Sequence, residues 1–224
     1  MAPRSIALVG IDGSGKTTQA HLLAEALADR GAPARYRRNA GGRRWFGRLA
    51  GVAGRQEVLP PRAMLFVEGV LRWLAILRTL LRRWCTGELT VMDRYAACQF
   101  ASIRARGGDD RRARRFYRLF PAPDITFFLA VDPGIAYERI ERRGYDHEEL
   151  DHLRASIAAY RALPEFDRFV VIDANGTPEQ VQAALLDHLS FAPVRRSRAR
   201  GLLVTGAGLI AAAGAVTCQL AEGF

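Results

Sequence analysis

The chain of 224 residues holds one lysine, Lys16, against 32 arginines, and that lysine stands in Gly10-Ile11-Asp12-Gly13-Ser14-Gly15-Lys16-Thr17. The segment fits G-x-x-x-x-G-K-S/T, a loop whose backbone N–H groups cradle phosphates while the lysine reaches between the β- and γ-phosphates. An ammonium on a flexible stem suits that reach, and a planar guanidinium fits it poorly. Gly10, Gly13 and Gly15 let the backbone turn inward around an anion, and the N-terminus of a following helix adds partial positive charge. Thr17 offers a hydroxyl to Mg²⁺, so the stretch from Gly10 to Thr18, with Ile11, Asp12, Ser14, Lys16 and Thr18 included, is expected to hold ATP with Mg²⁺.

That chemistry needs a strand to deliver the loop and a helix to receive it. Ser5-Ile6-Ala7-Leu8-Val9 is an apolar run of strand length, and residues 17 to 30 carry Leu22, Leu23, Ala26 and Leu27 at helical spacing. Residues 34 to 37 read as a second strand, followed by Asn39-Ala40-Gly41-Gly42. Pro60-Pro61 opens a long helix to about Trp84 whose stripe of Val67, Leu71, Leu74 and Leu81 is expected to face the core; Arg72 and Arg78 argue against a membrane span. Leu89-Thr90-Val91-Met92-Asp93 reads as a buried strand ending in a carboxylate, and residues 125 to 131 and 169 to 172 supply two more. The alternation predicts an α/β fold with a parallel five-stranded sheet and helices on both faces. Ligands then bind at the strands' carboxyl ends, where Gly10, Asp93 and Asp173 fall.

A hydrophobic content of 49% over this length supports one buried domain, residues 1 to 192, with an appendage, 193 to 224. Three scattered cysteines, Cys85, Cys98 and Cys218, make neither a disulfide framework nor a CxxC site, which suits a reducing cytoplasm. The four histidines lack metal-ligand spacing. The first strand begins at once, so no signal peptide is expected. A net charge of +10 gathers at residues 35 to 55, 104 to 118 and 195 to 200, but no nucleic-acid module accompanies it, and nucleic acid is not an expected partner.

Several segments together resemble the thymidylate kinase family over about residues 5 to 190. Val9-Gly10-Ile11-Asp12-Gly13-Ser14-Gly15-Lys16-Thr17-Thr18-Gln19 resembles its opening, Arg38-Asn39-Ala40-Gly41-Gly42 its R-E-P-G-G loop, and Met64-Leu65-Phe66 the entry to its long helix. Asp93-Arg94-Tyr95 matches its D-R-Y, and residues 138 to 144, with Arg139, Arg142 and Arg143, look like its arginine-bearing lid. Val171-Ile172-Asp173-Ala174 resembles the strand end whose following loop lies near adenine. The resemblance implies a P-loop kinase fold with a small helical lid, and phosphorylation of a nucleoside monophosphate, dTMP to dTDP. Lys16, Asp93, Arg94, Arg139 and Arg143 are its implied catalytic groups, with Thr17 and Asp93 toward the metal. It further implies Arg38 and Arg94 as clamps on the acceptor phosphate, Asp12 on a sugar hydroxyl, and Phe66 and Tyr95 beside the small-molecule acceptor.

The acceptor side departs from the pattern. Val70 stands where the family has an arginine, Ala96-Ala97-Cys98-Gln99-Phe100 follows Tyr95 where a polar serine and then an aromatic near the base are expected, and the R-E-P-G-G-T loop has become Arg38-Asn39-Ala40-Gly41-Gly42-Arg43. A site built to hydrogen-bond thymine discriminates poorly without those donors. Either the acceptor differs from dTMP or other residues read it, and a membrane-associated, non-catalytic P-loop module is the contrasting possibility. Residues 201 to 221 carry no charge and follow Arg195, Arg196, Arg198 and Arg200, a candidate anchor to the cytoplasmic face of a membrane. Homodimerisation is a further expectation.

Overall fold

The computed structural model describes residues 3–42, 60–144 and 148–189, and the apolar tail lies outside them. In chain order the elements are β1 (Ser5–Val9), α1 (Lys16–Asp29), β2 (Ala34–Arg38), α2 (Pro61–Thr86), β3 (Leu89–Asp93), α3 (Ala96–Ala105) and α4 (Arg111–Tyr117). They continue with β4 (Ile125–Ala130), α5 (Pro133–Arg143), α6 (Leu150–Arg161), a 3₁₀ turn (Phe166–Arg168), β5 (Val170–Asp173) and α7 (Pro178–Asp187). All five expected strands form, with ends shifted by a residue or two where hydrogen bonding, not apolarity, sets the boundary.

The strands pair in parallel in the order β2-β3-β1-β4-β5. β1 and β3 are buried at every position. Continuous burial of successive residues, which point to opposite faces, means that both faces are covered; this is why the strands read as unbroken apolar runs. α1 packs with α7, and α3 with α6. Leu8 pairs with Asp93 and Arg38 with Asp93, so the carboxyl ends of β2, β3 and β1 lie level. Asp124 ties the opposite end, accepting from the backbone N–H groups of Arg4 and Ser5 at 2.8 Å each.

α2 corrects one expectation. Its apolar stripe does not meet the core: Leu74 and Leu81 are 49% and 50% exposed, and Trp84 is also exposed. The buried side is instead Glu68, Arg72, Ile76 and Thr79, spaced by four, four and three residues. Polar partners on the neighbouring loop and helix select that face: Thr79 Oγ1 donates to Asn39 Oδ1 at 2.9 Å, and Arg72 Nη1 to Gln99 Oε1 at 2.5 Å. Among the described residues no helix is long and apolar enough to cross a membrane.

Candidate active site

β1 delivers the chain to the loop, where Gly10, Gly13 and Gly15 take φ of 147°, 82° and 84°. At Gly13 a Cβ would overlap the Ala136 carbonyl of α5, so glycine is required there by space as well as by φ. α1 starts at Lys16 with Gly15 as its N-cap and no side-chain cap. Its first N–H groups therefore remain available to an anion, backed by the helix dipole. Lys16 is 4% exposed, its Nζ donating to Ile11 O at 2.5 Å and Ser14 Oγ at 3.3 Å, with Asp12 at 3.7 Å. Burial, and then the charge of Arg94, lower its pKa to about 8.

β3 ends at Asp93, which is 1% exposed. Its Oδ2 accepts from Thr17 Oγ1 at 2.7 Å and from the Tyr36 hydroxyl at 3.4 Å, while Oδ1 is buried without a hydrogen-bond partner. Burial and the Asp93 charge push the Tyr36 phenol up to about 12. Arg94 follows with φ 76°, the one non-glycine residue in that region among the described residues. Such a backbone costs about 1–3 kcal/mol and persists only where its surroundings fix it. Here Arg94 N donates to Leu8 O at 3.1 Å, and Asn39 spans the turn, its N donating to Asp93 O at 3.0 Å and its Nδ2 to Arg94 O at 2.9 Å. The turn brings the Arg94 guanidinium onto Asp12 Oδ1, and the Asp12 charge raises the arginine's pKa.

Lys16, Thr17, Asp12, Asp93 and Arg94 are thus assembled at one place from two strand ends. Arg38 is exposed at the end of β2, in register with Asp93. Phe66 is 73% exposed on the first turns of α2. Tyr95 goes elsewhere: its ring is buried and its hydroxyl donates to Pro121 O at 2.6 Å, so it fastens the start of α3 to the loop before β4. Arg139 donates to Ala174 O, Asn175 O and Gly176 O at 2.9–3.1 Å, tying α5 to the loop after β5. Arg142 and Arg143 are exposed at the end of α5, and part of the expected lid, residues 145–147, lies outside the described residues.

Sequence reasoning missed Tyr160, whose hydroxyl donates to Gly10 O at 3.2 Å from inside the core. Nothing in the spacing of α6 marks that residue, because the contact spans 150 positions. It also missed the bracing role of Asn39, visible in the sequence only as a departure from a family pattern. A separate cavity of about 1050 Å³ opens beside the ends of β4 and β5, lined by Val131, Asp132, Ile157, Arg161 and Asp173 among others; no P-loop residue lines it.

With this geometry in hand, comparison with known proteins is specific. The family model described as "Thymidylate kinase" matches residues 8–185. A "Probable thymidylate kinase" of Archaeoglobus fulgidus is 34% identical over 180 residues, 79% of this chain and 90% of the relative. A "Thymidylate kinase" of Cereibacter sphaeroides is 31% identical over 215 residues, 84% and 97% of the two chains. A "Probable thymidylate kinase" of Pyrobaculum aerophilum is 32% identical over 183 residues, 80% and 92%.

Proposed function

The chain belongs to the thymidylate kinase family of phosphotransferases, and we propose that it moves the γ-phosphoryl group of ATP, with Mg²⁺, to dTMP to give dTDP and ADP. The observation that supports this best is the joint placement of Lys16, the Thr17–Asp93 pair and the Arg94–Asp12 pair at adjoining strand ends. Phosphoryl transfer asks a protein mainly for positioning and for neutralisation of oxygens. The loop's N–H groups and Lys16 receive the donor phosphates, the lysine exchanging its contacts with Ile11 and Ser14 for phosphate oxygens.

Hard oxygen donors suit Mg²⁺, and the unpartnered Asp93 Oδ1 beside the Thr17 hydroxyl fits that ion. When bound, Mg²⁺ supplies Lewis-acid neutralisation of the phosphate oxygens. Arg94 and the exposed Arg38 clamp the acceptor phosphate, for which a planar guanidinium is matched. As Arg94 turns to that phosphate, Asp12 is released to accept from a sugar hydroxyl of the acceptor. Arg143 and Arg142 reach the transferring group from the end of α5, while Arg139 holds the loop beside the donor base.

The family's chemistry runs on small molecules. The tail from 195 to 221 attaches the enzyme to the cytoplasmic face of a membrane, a reading supported by its charge pattern alone; fractionation of the chain with and without residues 195–224 tests it, and equal partitioning rejects it. For the reaction itself the test is ADP release by the purified full chain across nucleoside monophosphates and nucleosides. dTMP is expected to be turned over, and Lys16→Ala to abolish turnover in a protein that still melts cooperatively. Turnover surviving in Lys16→Ala, or no acceptor among the monophosphates, rejects the proposal.

A further inference from the structure

Where the resembled R-E-P-G-G loop has an acid, this chain has Asn39, which is wholly buried. Its backbone N–H donates to Asp93 O at 3.0 Å, carrying the β2–β3 pairing one residue past Arg38, the residue in register with Asp93. The ladder cannot continue, because Arg94 turns away with φ 76°. The Asn39 side chain takes over from the backbone there, its Nδ2 donating to Arg94 O at 2.9 Å. From the other side, Arg94 N donates to Leu8 O of β1 at 3.1 Å. Both backbone polar groups of the left-handed residue are therefore tied, one to β1 and one to the residue that follows β2.

A third contact settles which way the amide faces. A carbonyl oxygen only accepts, so the atom toward Arg94 O is the nitrogen and the amide oxygen points away. That oxygen accepts from Thr79 Oγ1 of α2 at 2.9 Å, and Thr79 is itself 1% exposed. A carboxylate at position 39 could accept from Thr79 but has nothing to donate to Arg94 O. The exchange of acid for amide is what permits this brace. Its consequence falls on two guanidiniums: Arg38 precedes Asn39 in the chain, and Arg94 is held by it. A phosphate gripped by both needs them at a fixed separation, since a misplacement of about 1 Å can cost about 10²-fold. We propose that Asn39 is a positioning residue for the acceptor phosphate: it fixes the spacing of Arg38 and Arg94, while Thr79 fixes the direction of its amide. The inference rests on the reading of Arg38 and Arg94 as the acceptor-phosphate clamps.

The test is kcat and KM for dTMP and for ATP, with dTMP affinity by calorimetry, on the full chain as wild type, Asn39→Asp, Thr79→Val, Thr79→Ser and Arg94→Gln. Asn39→Asp keeps the shape and removes the donor, so KM and Kd for dTMP rise about tenfold or more while KM for ATP stays within about twofold. Thr79→Val deprives the amide of its second partner and raises the dTMP values in the same direction. Thr79→Ser puts the hydroxyl back and returns them toward wild type. Loss of stability alone produces neither the split between acceptor and donor nor the recovery in serine. The proposal is overturned if dTMP affinity is unchanged in Asn39→Asp, if both KM values rise together, or if Thr79→Ser behaves as Thr79→Val. Should Asn39→Asp not fold, the valine and serine variants at position 79 decide. Undiminished dTMP affinity in Arg94→Gln overturns the clamp reading itself, which separates the two failures.

Discussion

Lys16 is held nearly free of solvent against its own loop, and its depressed pKa of about 8 carries a sign that can be measured. Phosphate recognition needs the ammonium, so kcat/KM falls as pH rises through about 8, and nucleotide binding near that pH takes up a proton, visible by calorimetry in buffers of different ionisation enthalpy. For folding the sign is opposite: between about 8 and the ordinary 10.5 the unfolded chain binds a proton that the folded chain has released, so stability rises with pH in that window. A flat rate profile from pH 7 to 9.5 would contradict this environment for Lys16. Asp93 makes a second case at this scale. Asp93→Asn keeps an acceptor for Thr17 but removes the charge, and kcat is expected to drop by about 10²-fold or more with little change in melting temperature.

At the scale of elements, the site depends on how tightly α5 seats against the loop. Gly13 has φ 82° and its α carbon faces the Ala136 carbonyl. Gly13→Ala must therefore both strain the loop and push α5 away, and the expected result is a loss of about 1–3 kcal/mol in chemical denaturation together with loss of nucleotide affinity. Gly15→Ala meets nothing within 4 Å and carries only the strain of its φ of 84°, so it is the milder control. Equal damage from both would show that backbone conformation alone matters. α2 shows how an element can be recognised while its orientation is not. Its length and start follow from Pro60-Pro61 and a helical composition, but the face it buries is chosen by Asn39 and Gln99, which come from elsewhere in the chain.

For the whole molecule, the consequence of that orientation is an apolar strip on the outside of α2, with Leu74, Leu81 and Trp84 exposed. Leu81→Glu places a charge on this exposed strip and, because the side chain is half exposed and not packed in the core, is expected to leave melting temperature and turnover per chain little changed; a large fall in melting temperature would contradict this orientation of α2. The strongly positive balance, +10 in all, does not by itself define a partner. Within the described fold some arginines serve as structural ties, Arg104 and Arg114 sharing Asp110 and Arg114 also meeting Glu165.

The sequence by itself determined the phosphate loop, the five parallel strands and the family, because these depend on local events: glycine φ, an N-terminal helix turn, apolar runs buried on both faces. Asp93 and Arg94 were likewise legible, lying at the end of a strand that its own residues define. Only the tertiary structure decided which partners those residues meet. Thr17 and Asp93 are 76 positions apart, Arg94 and Asp12 82, and Tyr160 and Gly10 150. Sheet order sets those distances, and no local spacing encodes it. The same holds for Tyr95, drawn into the core by a carbonyl 26 residues on, and for the pairing of Arg72 with Gln99, 27 residues apart. A buried polar group goes where a partner can satisfy it, and that partner becomes visible only once the chain is folded.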